Sequence, residues 1–388
     1  MNKSNKGRNK NNKTNKNKSK QTEKIFKKTK RNSEHKLIIK AIGGYGIIGR
    51  NMTVVQYGNE SVVIDMGLYL NRYISFQESG EEMTSEALID DEALPNDRKF
   101  FAEYGNTVKA IVIGHAHLDH TGGIRFLASK YNCPIVASPY TSRIIQKMSY
   151  DDHWQLQNKL ILLNINASYK VSENITVELV GVTHSTLQAA ITVIHTPAGS
   201  VVYTLDYKLD NNPPFGQKTN MRRLRELGKE HVVALLPDCT RSDEEGHTFS
   251  EKVARSMLKD TLLGLQDKNH AIVATTFASN INRLHSIIDM GELIGREVVF
   301  LGRSFSRWIG AAEELGLVNF SKRARILRNG REYKRFLKVA NANRGRYLMI
   351  MTGNQGEPNA MLIRVAKGET PFEFMPGDNV IFSCQVIP

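Results

Sequence analysis

The stretch Gly114-His115-Ala116-His117-Leu118-Asp119-His120 follows directly after a continuous apolar run, Val108–Ile113. Such a run is typical of a strand that is buried on both faces. Three imidazoles and one carboxylate then fall within six residues. A helix would scatter these side chains, whereas a tight turn at a strand end can converge them on one point. Imidazole nitrogen and carboxylate oxygen suit zinc or manganese, so we interpret the stretch as a metal-binding turn.

The number of ligands in this turn indicates two neighbouring ions, because one ion needs only three or four groups. Further ligands must come from the ends of other strands. His184 ends the strand pattern at Val182–Ser185, and Asp206 ends another at Tyr203–Asp206. Two divalent ions held close together favour hydrolysis, because they activate water and neutralise developing charge. The pattern therefore predicts a hydrolase, and leaves open phosphodiesters, lactams, lactones and thioesters as substrates.

The charge of the 388-residue chain is concentrated at its amino end. The formal net charge is +14, and residues 1–36 hold 14 Lys or Arg against two acids, which leaves about +2 for the rest. Residues 1–34 have too few apolar side chains to offset their ordering entropy, so we predict a disordered basic tail. Two interpretations remain open: an electrostatic tether for RNA phosphates, and a solubilising tail.

The cysteine content and the apolar runs indicate in which cellular compartment the protein works. The three cysteines, Cys133, Cys239 and Cys384, form no CxxC spacing and no paired framework, which favours a reducing cytoplasm. No apolar run reaches the roughly 18 residues of a spanning helix. The first residues also lack the apolar core of a signal peptide.

The pattern of predicted strands and helices changes near residue 210, which predicts two domains. Residues 35–210 are rich in strands with few helices, and Lys170–Val182 alternates like one strand. Beyond that point, strands and helices alternate from Val232–Leu236 to Tyr347–Met351, as in a parallel α/β sheet. Thr248-x-x-Glu251 is a capping box that would open the first of these helices. We place the second domain at 211–370 and expect 371–388 to return to the first.

Several stretches together resemble one family of nucleases. They are Gly43–Met52, Ile64–Gly67, the histidine-rich turn, Val182–Ser185, Leu205–Asp210, Thr275–Asn280, Gly302–Ser304 and Thr352–Pro358. In these the chain resembles archaeal-type ribonuclease J, in the β-CASP group of metallo-β-lactamase-fold nucleases. The resemblance implies an α/β fold, a metallo-β-lactamase αββα sandwich with an inserted β-CASP parallel α/β domain.

The resemblance also implies a role for each metal ligand. His115, His117 and His184 would hold one ion. Asp119 and His120 would hold the other, with Asp206 bridging both. Asp119, Asp206 and His184 would be the catalytic members of this set. Asp65 would stand behind a ligand and steady it. The cofactors would be two divalent ions, zinc in the first place and manganese in the second.

The implied substrate is single-stranded RNA, cut mainly 5′→3′ from a 5′-monophosphate end, with endonucleolytic cuts as a second activity. Ligands of parallel sheets bind beyond the carboxyl ends of the strands, where small residues, backbone N–H groups and a positive charge suit phosphate. The substrate-binding residues implied there are Asp238, Asn280, Arg303, Ser304, Gly353, Gln355, Gly356 and Glu357. For Asn280 a helix N-cap, and for Gly353 and Gly356 a helix-entry turn, are the structural alternatives.

The carboxyl end departs from the family pattern. Resembling proteins continue past Val380–Ser383 with a His-x-Ser-Gly-His segment and a final histidine ligand, whereas the last histidine here is His285. We expect a fragment, an early stop or a split gene, in which a separate chain supplies the histidines. On that expectation the second ion binds weakly. No membrane partner is expected, and a homo-oligomer is left open.

Two further functions compete with the ribonuclease. One is a hydrolase of small molecules such as lactones or thioesters; the large insertion with Arg- and Gly-bearing strand ends argues against it. The other is a catalytically incomplete RNA-binding subunit, which the carboxyl end and the basic tail favour. The six candidate ligands that are present argue against that interpretation, because a protein that only binds RNA has no chemical need for them.

Overall fold

A computed structural model describes residues 35–265 and 269–385 of the chain. These residues form three sheets, of six, five and five strands. The predicted basic tail over 1–34 lies outside the described residues.

The first sheet runs in sequence order from β1 to β6. Its first three strands are antiparallel and the remaining pairings are parallel. The strands are β1 (Leu37–Gly43), β2 (Met52–Tyr57), β3 (Glu60–Ile64), β4 (Val108–Ile113), β5 (Ile135–Ala137) and β6 (Leu160–Leu162). The central strand β4 is the apolar run that precedes the histidine-rich turn.

Within the described residues, six α-helices accompany this sheet, although the sequence led us to expect few. They are α1 (Leu70–Ser79), α2 (Ser85–Asp90), α3 (Arg98–Tyr104), α4 (Leu118–Thr121), α5 (Ile124–Leu127) and α6 (Pro139–Asp151). Most are short, so they carry little helical periodicity. Their apolar side chains, among them Leu88, Phe100 and Ile145, pack on the sheet's outer face beside Met52 and Val54.

The second sheet has the order β11-β10-β9-β8-β7. Its strands are β7 (Ala167–Lys170), β8 (Thr176–Gly181), β9 (Ala190–Thr196), β10 (Gly199–Tyr203) and β11 (Val232–Leu236), with helix α7 (Met221–Leu227) before the last. Its inner face packs on the first sheet through contacts such as Ile64 and Val112 with Val177 and Ile194. The outer face of this sheet is covered in part by Leu227 of α7. These layers are the αββα sandwich that the resemblance implied.

The third sheet is parallel throughout, in the order β14-β13-β15-β12-β16. Helices cover both of its faces. The elements are α8 (Glu251–Leu263), β12 (Ile272–Thr275), α9 (Ile281–Leu293), β13 (Glu297–Leu301), α10 (Arg303–Glu314), β14 (Ala324–Ile326), α11 (Gly330–Ala342), β15 (Tyr347–Met351), α12 (Met361–Ala366) and β16 (Asn379–Phe382). This is the predicted parallel α/β domain.

Two strands join a different sheet from the one expected. β11, which we assigned to the second domain, pairs in parallel with β10 of the sandwich. β16, which we expected to return to the sandwich, pairs instead with β12, from Ile272 opposite Asn379 to Thr275 opposite Phe382. A short apolar strand can pair with any open sheet edge that the folded chain brings near it. The local sequence pattern does not indicate which sheet that edge belongs to.

Two local predictions are also corrected. The alternating stretch Lys170–Val182 is not one strand, because the backbone turns between β7 and β8 where Val171 and Ser172 donate to the carbonyl of Ile175. Helix α8 is capped by Ser250 rather than Thr248, since the Ser250 hydroxyl accepts from the N–H of Lys252.

Candidate metal centre

The histidine-rich turn links β4 to the short helix α4. The carbonyl of His117 accepts from the N–H groups of His120 and Thr121, at 3.1 and 2.9 Å. This arrangement leaves His115 and His117 on the extended segment and places Asp119 and His120 in the first helical turn. The turn thereby brings four candidate ligand side chains together at the end of the sheet.

A first ligand group consists of His115, His117, His184 and Asp206, whose donor atoms lie within 4.8 Å of one another. His117 Nδ1 lies 3.0 Å from His115 Nε2 and 3.1 Å from His184 Nε2. Asp206 Oδ2 lies 3.8 Å from both His115 Nε2 and His184 Nε2. Three strand ends, those of β4, β8 and β10, bring these residues together.

A second group is formed by His115, Asp119 and His120. His120 Nε2 lies 3.2 Å from Asp119 Oδ2 and 3.4 Å from Asp206 Oδ1. Asp206 therefore directs one carboxylate oxygen to each group. This is the arrangement that a bridging ligand requires.

These residues fit divalent cations. Zinc–nitrogen bonds of about 2.0–2.1 Å in a tetrahedral set place ligand nitrogens roughly 3.3 Å apart, close to the observed 3.0 and 3.1 Å. Burial lowers the pKa of His115, and it lowers that of His184 to about 3. Both imidazoles are thus neutral, as metal ligation requires.

The second group also favours a cation. Burial by itself lowers the pKa of His120, but the carboxylates of Asp119, Asp65 and Asp206 outweigh it and raise the pKa well above its usual value. These three carboxylates therefore stabilise positive charge at this point. A divalent ion would supply that charge.

Asp65 stands behind His120. It is fully buried, and its Oδ2 lies 2.7 Å from His120 Nδ1. Its Oδ1 accepts from the N–H of Gly114 at 3.1 Å. The carboxylate thus holds the ring with Nε2 directed at the ligand cluster. Asp65 has a left-handed backbone, with φ of 61°, which an aspartate tolerates better than most residues.

Asn51 is a site residue to which the sequence assigned no role. Its side-chain Nδ2 donates to the carbonyl of Asp119 at 3.0 Å and lies 3.2 Å from His120 Nε2. Its backbone N–H donates to the same carbonyl at 3.1 Å. Asn51 thus anchors the first turn of α4. The only sequence signal was its place in the glycine-rich stretch Gly43–Met52.

Gly67 shows how closely the chain passes this turn. A Cβ on Gly67 would lie 1.6 Å from the carbonyl oxygen of Asp119. No other residue type fits there without moving the ligand turn. The glycine in the stretch Ile64–Gly67 is therefore explained by close backbone approach.

The predicted substrate residues fall at two places. Arg303 and Ser304 follow β13, Gly353–Glu357 follows β15, and Asn280 follows β12, so the parallel topology brings them to one edge of the third sheet. Asp238 lies elsewhere, beyond β11 of the sandwich, where its N–H donates to Thr204 Oγ1. That is the same sheet end from which Asp206 projects.

The local roles of these residues are partly structural. Asn280 caps α9 by accepting from the N–H of Arg283 at 3.0 Å. Gln355 donates from Nε2 to the carbonyl of Gln385, and its N–H donates to Glu357. Arg303 and Ser304 are exposed at the start of α10, where a phosphate can reach them.

The metal centre contacts the second domain directly. The His117 ring meets Trp308 of α10 edge-on, with centroids 6.1 Å apart. Tyr140 of α6 donates its hydroxyl to the Trp308 carbonyl at 3.1 Å. The ligand cluster and the edge that carries Arg303 are thus joined through one helix.

Within the described ranges, no helix has the length and apolar character needed to cross a membrane.

Comparison with known proteins gives a consistent result. Residues 45–209 match the metallo-beta-lactamase superfamily, and residues 269–388 match "Ribonuclease J, beta-CASP domain". Ribonuclease J of Pyrococcus abyssi is 41% identical over 353 residues, which cover 90% of this chain and 77% of that protein. Ribonuclease J of Methanocaldococcus jannaschii is 39% identical over 356 residues, covering 91% and 79%. Ribonuclease J of Sinorhizobium meliloti is 32% identical over 92% of this chain and 59% of that protein.

Among solved structures, a protein of unknown function from Enterococcus faecalis has the same fold. The TM-score is 0.59, with 19% identity over 90% of this chain and 88% of that chain. At this level of identity the likeness speaks for the fold alone.

Proposed function

Because this chain belongs to the ribonuclease J family of hydrolases, we propose that it cleaves single-stranded RNA 5′→3′ from a 5′-monophosphate end. Endonucleolytic cuts would be its second activity. One observation carries the proposal: Asp206 directs its two carboxylate oxygens to two groups of ligands. A site for two ions suits phosphodiester hydrolysis.

The metal ligands would divide as the family resemblance implied. His115, His117 and His184 would hold one ion, and Asp119 and His120 the other, with Asp206 between them. Bound zinc or manganese would activate water and neutralise charge on the phosphoryl oxygens. Zinc is the first candidate, because three neutral imidazoles and a carboxylate form a ligand set typical of it.

Residues behind the ligands would keep this set in place during turnover. Asp65 accepts from His120 Nδ1 and so leaves Nε2 free to act as a ligand. Asn51 holds the carbonyl of Asp119 and with it the first turn of α4. Neither residue needs to touch the substrate for this role.

The RNA would lie between the metal centre and the strand-end edge of the third sheet. Arg303 supplies an exposed guanidinium, which suits phosphate. Gly353 and Gly356, with φ of 121° and 79°, shape a turn whose backbone a phosphate can approach closely. The other proposed contacts with substrate are made by Asp238, Asn280, Ser304, Gln355 and Glu357.

The proposal is tested with purified full-length chain, zinc or manganese, and RNA that carries a labelled 5′-monophosphate. We expect release of labelled mononucleotide. Asp206→Asn should reduce the rate at least about a hundredfold, because it removes one charge shared by both ligand groups. Asp260→Asn, an exposed carboxylate of α8, is the matched control and should cleave like the unchanged chain.

Other outcomes separate the competing functions. Binding of the RNA without cleavage, under conditions where the chain holds metal, would support an RNA-binding subunit instead. Hydrolysis of a lactone or thioester with RNA left intact would support a small-molecule hydrolase. RNA with a 5′-triphosphate is the comparison that tests end selectivity; equal rates on both ends would contradict the proposed preference.

A further inference from the structure

Helix α11 presents two contrasting faces. Tyr333, Phe336, Leu337 and Ala340 are buried against the third sheet. The solvent side carries the four exposed cations Arg331, Lys334, Arg335 and Lys338. Their spacing of i, i+3, i+4 and i+7 puts all four on one stripe. We call these four residues the α11 basic face.

Acidic partners for the α11 basic face are missing from the described part of the chain. Across residues 35–265 and 269–385, no carboxylate lies within 4.0 Å of any of its four cations. The one acid of the helix, Glu332, is engaged at the helix start, where it accepts from the N–H of Arg328 and from Asn329 Nδ2.

Several other arginines of the same domain are paired with acids. Arg323 contacts Asp289 and Glu292, Arg344 contacts Asp378, and Arg325 and Arg346 both contact Glu297. The domain therefore has acids for these arginines, but none of its described acids pairs with the α11 basic face. The difference between these paired arginines and the unpaired α11 basic face indicates that the face binds an anion from outside the fold.

Helix stability does not explain the arrangement. Like charges three and four residues apart repel each other on a helix surface. Arg331 also lies in the first turn, where the helix dipole disfavours a cation. The four cations therefore weaken the isolated helix, and a bound polyanion would remove that repulsion.

The start of α11 lies close to the proposed substrate edge. The helix follows β14, a neighbour of β13 in the third sheet. Burial raises the pKa of Tyr333, and the positive charge of nearby Arg303 opposes that rise. The first turn of α11 thus lies near Arg303 at the strand-end edge, and the four cations extend from it along the helix for about 10 Å, at roughly 1.5 Å per residue.

We propose that the α11 basic face binds the phosphate backbone of RNA that extends beyond the nucleotides held at the strand-end edge. The inference rests on the proposed ribonuclease function and adds a second, sequence-independent contact surface to it. Cations on a stripe suit a string of phosphates, whose binding is electrostatic and salt-dependent. The surface would favour long RNA over short oligonucleotides.

The test is the quadruple variant R331Q/K334Q/R335Q/K338Q, made in the full chain with D206N to prevent cleavage. Its matched control is K99Q/K170Q/K229Q/K259Q, four exposed lysines on other surfaces, which lowers the net charge equally. Binding of 5′-monophosphorylated RNA of 6 and 40 nucleotides is measured by fluorescence anisotropy at several salt concentrations. The basic tail is the same in both proteins.

We expect the quadruple variant to bind the 40-nucleotide RNA about tenfold more weakly than the control does. The slope of log affinity against log salt should fall by about 0.7 for each phosphate that the variant no longer neutralises. The 6-nucleotide RNA should bind both proteins equally. Glutamine is nearly as good a helix former as lysine or arginine, so the melting temperature should stay level or rise.

Three results would overturn the inference. Equal affinity of variant and control for the long RNA would mean that the face does not bind it. Equally weakened binding of both RNA lengths would place the face within the substrate cleft. Polyglutamate binding that only the quadruple variant loses, with RNA binding intact, would assign the face to an acidic protein. Failure of the metal-loaded chain with Asp206 to cleave the short RNA would contradict the ribonuclease proposal alone.

Discussion

At the scale of single residues, the candidate metal centre is held in place by side chains that are not themselves candidate ligands. Asp65 and Asn51 fix the ring of His120 and the backbone of Asp119. The backbone at Leu205 is left-handed, with φ of 61°, an unusual conformation for leucine directly before Asp206. Ligand residues are chemically conspicuous in a sequence, whereas a residue that only supports a ligand is not.

Asp65→Asn tests the supporting role. Asparagine tolerates the left-handed backbone, so the loop should keep its shape. The amide can no longer offer acceptors to both Gly114 and His120, and the ring loses its fixed orientation. We expect metal affinity to fall about 10- to 100-fold, measured by competition with a chelator.

The control for this prediction is Asp97→Asn. Asp97 is also fully buried, but it contacts Lys130 and Tyr131 away from the ligands. The Asp97→Asn substitution should lower the free energy of unfolding while leaving metal affinity unchanged. If Asp65→Asn bound metal as tightly as the unchanged chain, the positioning role of Asp65 would be refuted.

At the scale of elements, a charged cluster ties α7 to the second sheet. Glu178 of β8 accepts from Arg223 of α7 at 2.6 and 2.9 Å and lies 2.8 Å from His195 Nε2 of β9. Burial by itself raises the pKa of Glu178, but Arg223 and then His195 outweigh it and lower the pKa to about 2. The cluster steadies the strand that continues toward His184.

Glu178→Gln should lower the free energy of unfolding by about 2–3 kcal/mol at pH 7. A carboxylate with a lowered pKa contributes its full stability above its usual pKa of 4.5 and loses it as the pH falls toward about 2. The difference between the two proteins should therefore shrink steadily below pH 4.5. Urea unfolding between pH 3 and pH 7 measures it.

Glu226→Gln is the control, because this exposed carboxylate lies 3.7 Å from the same arginine. Exposed pairs contribute little, so its effect should stay below about 1 kcal/mol at every pH. A Glu178→Gln difference that does not change with pH would show that the loss arises from packing rather than charge.

At the scale of the whole molecule, one apolar cluster is shared between the sandwich and the parallel domain. Tyr140 and Ile144 of α6 pack in the same cluster as Phe305, Trp308 and Ile309 of α10. Ion pairs at the rim, among them those of Glu314, add exposed contacts. The shared core couples the metal centre to the domain that carries Arg303.

Trp308→Ala should lower the stability of the whole molecule, because it opens a cavity between the domains. We expect a loss of about 3 kcal/mol and a fall of about 5 °C in Tm. Calorimetry of the unchanged chain should show one unfolding transition. The variant should show either one transition at a lower temperature or two separate transitions. Glu314→Gln is the control and should shift Tm by no more than about 1 °C. If Trp308→Ala lowered Tm no more than Glu314→Gln does, the shared apolar cluster would contribute little to stability.

The sequence by itself determined the fold class and most strands, and it pointed to the candidate ligands, whose metal-binding role stays a prediction. Three histidines and an aspartate in a turn after an apolar run are chemically suited to metal and seldom to anything else, and β12, β13 and β15 follow from local periodicity. The sheet that each edge strand joins was decided only by tertiary structure, which moved β11 to the sandwich and β16 to the parallel domain. Asn51 and Trp308 likewise gained their roles through contacts across the fold. Local patterns report what a segment can bury, but pairings between distant segments depend on which edges and surfaces the folded chain brings within reach.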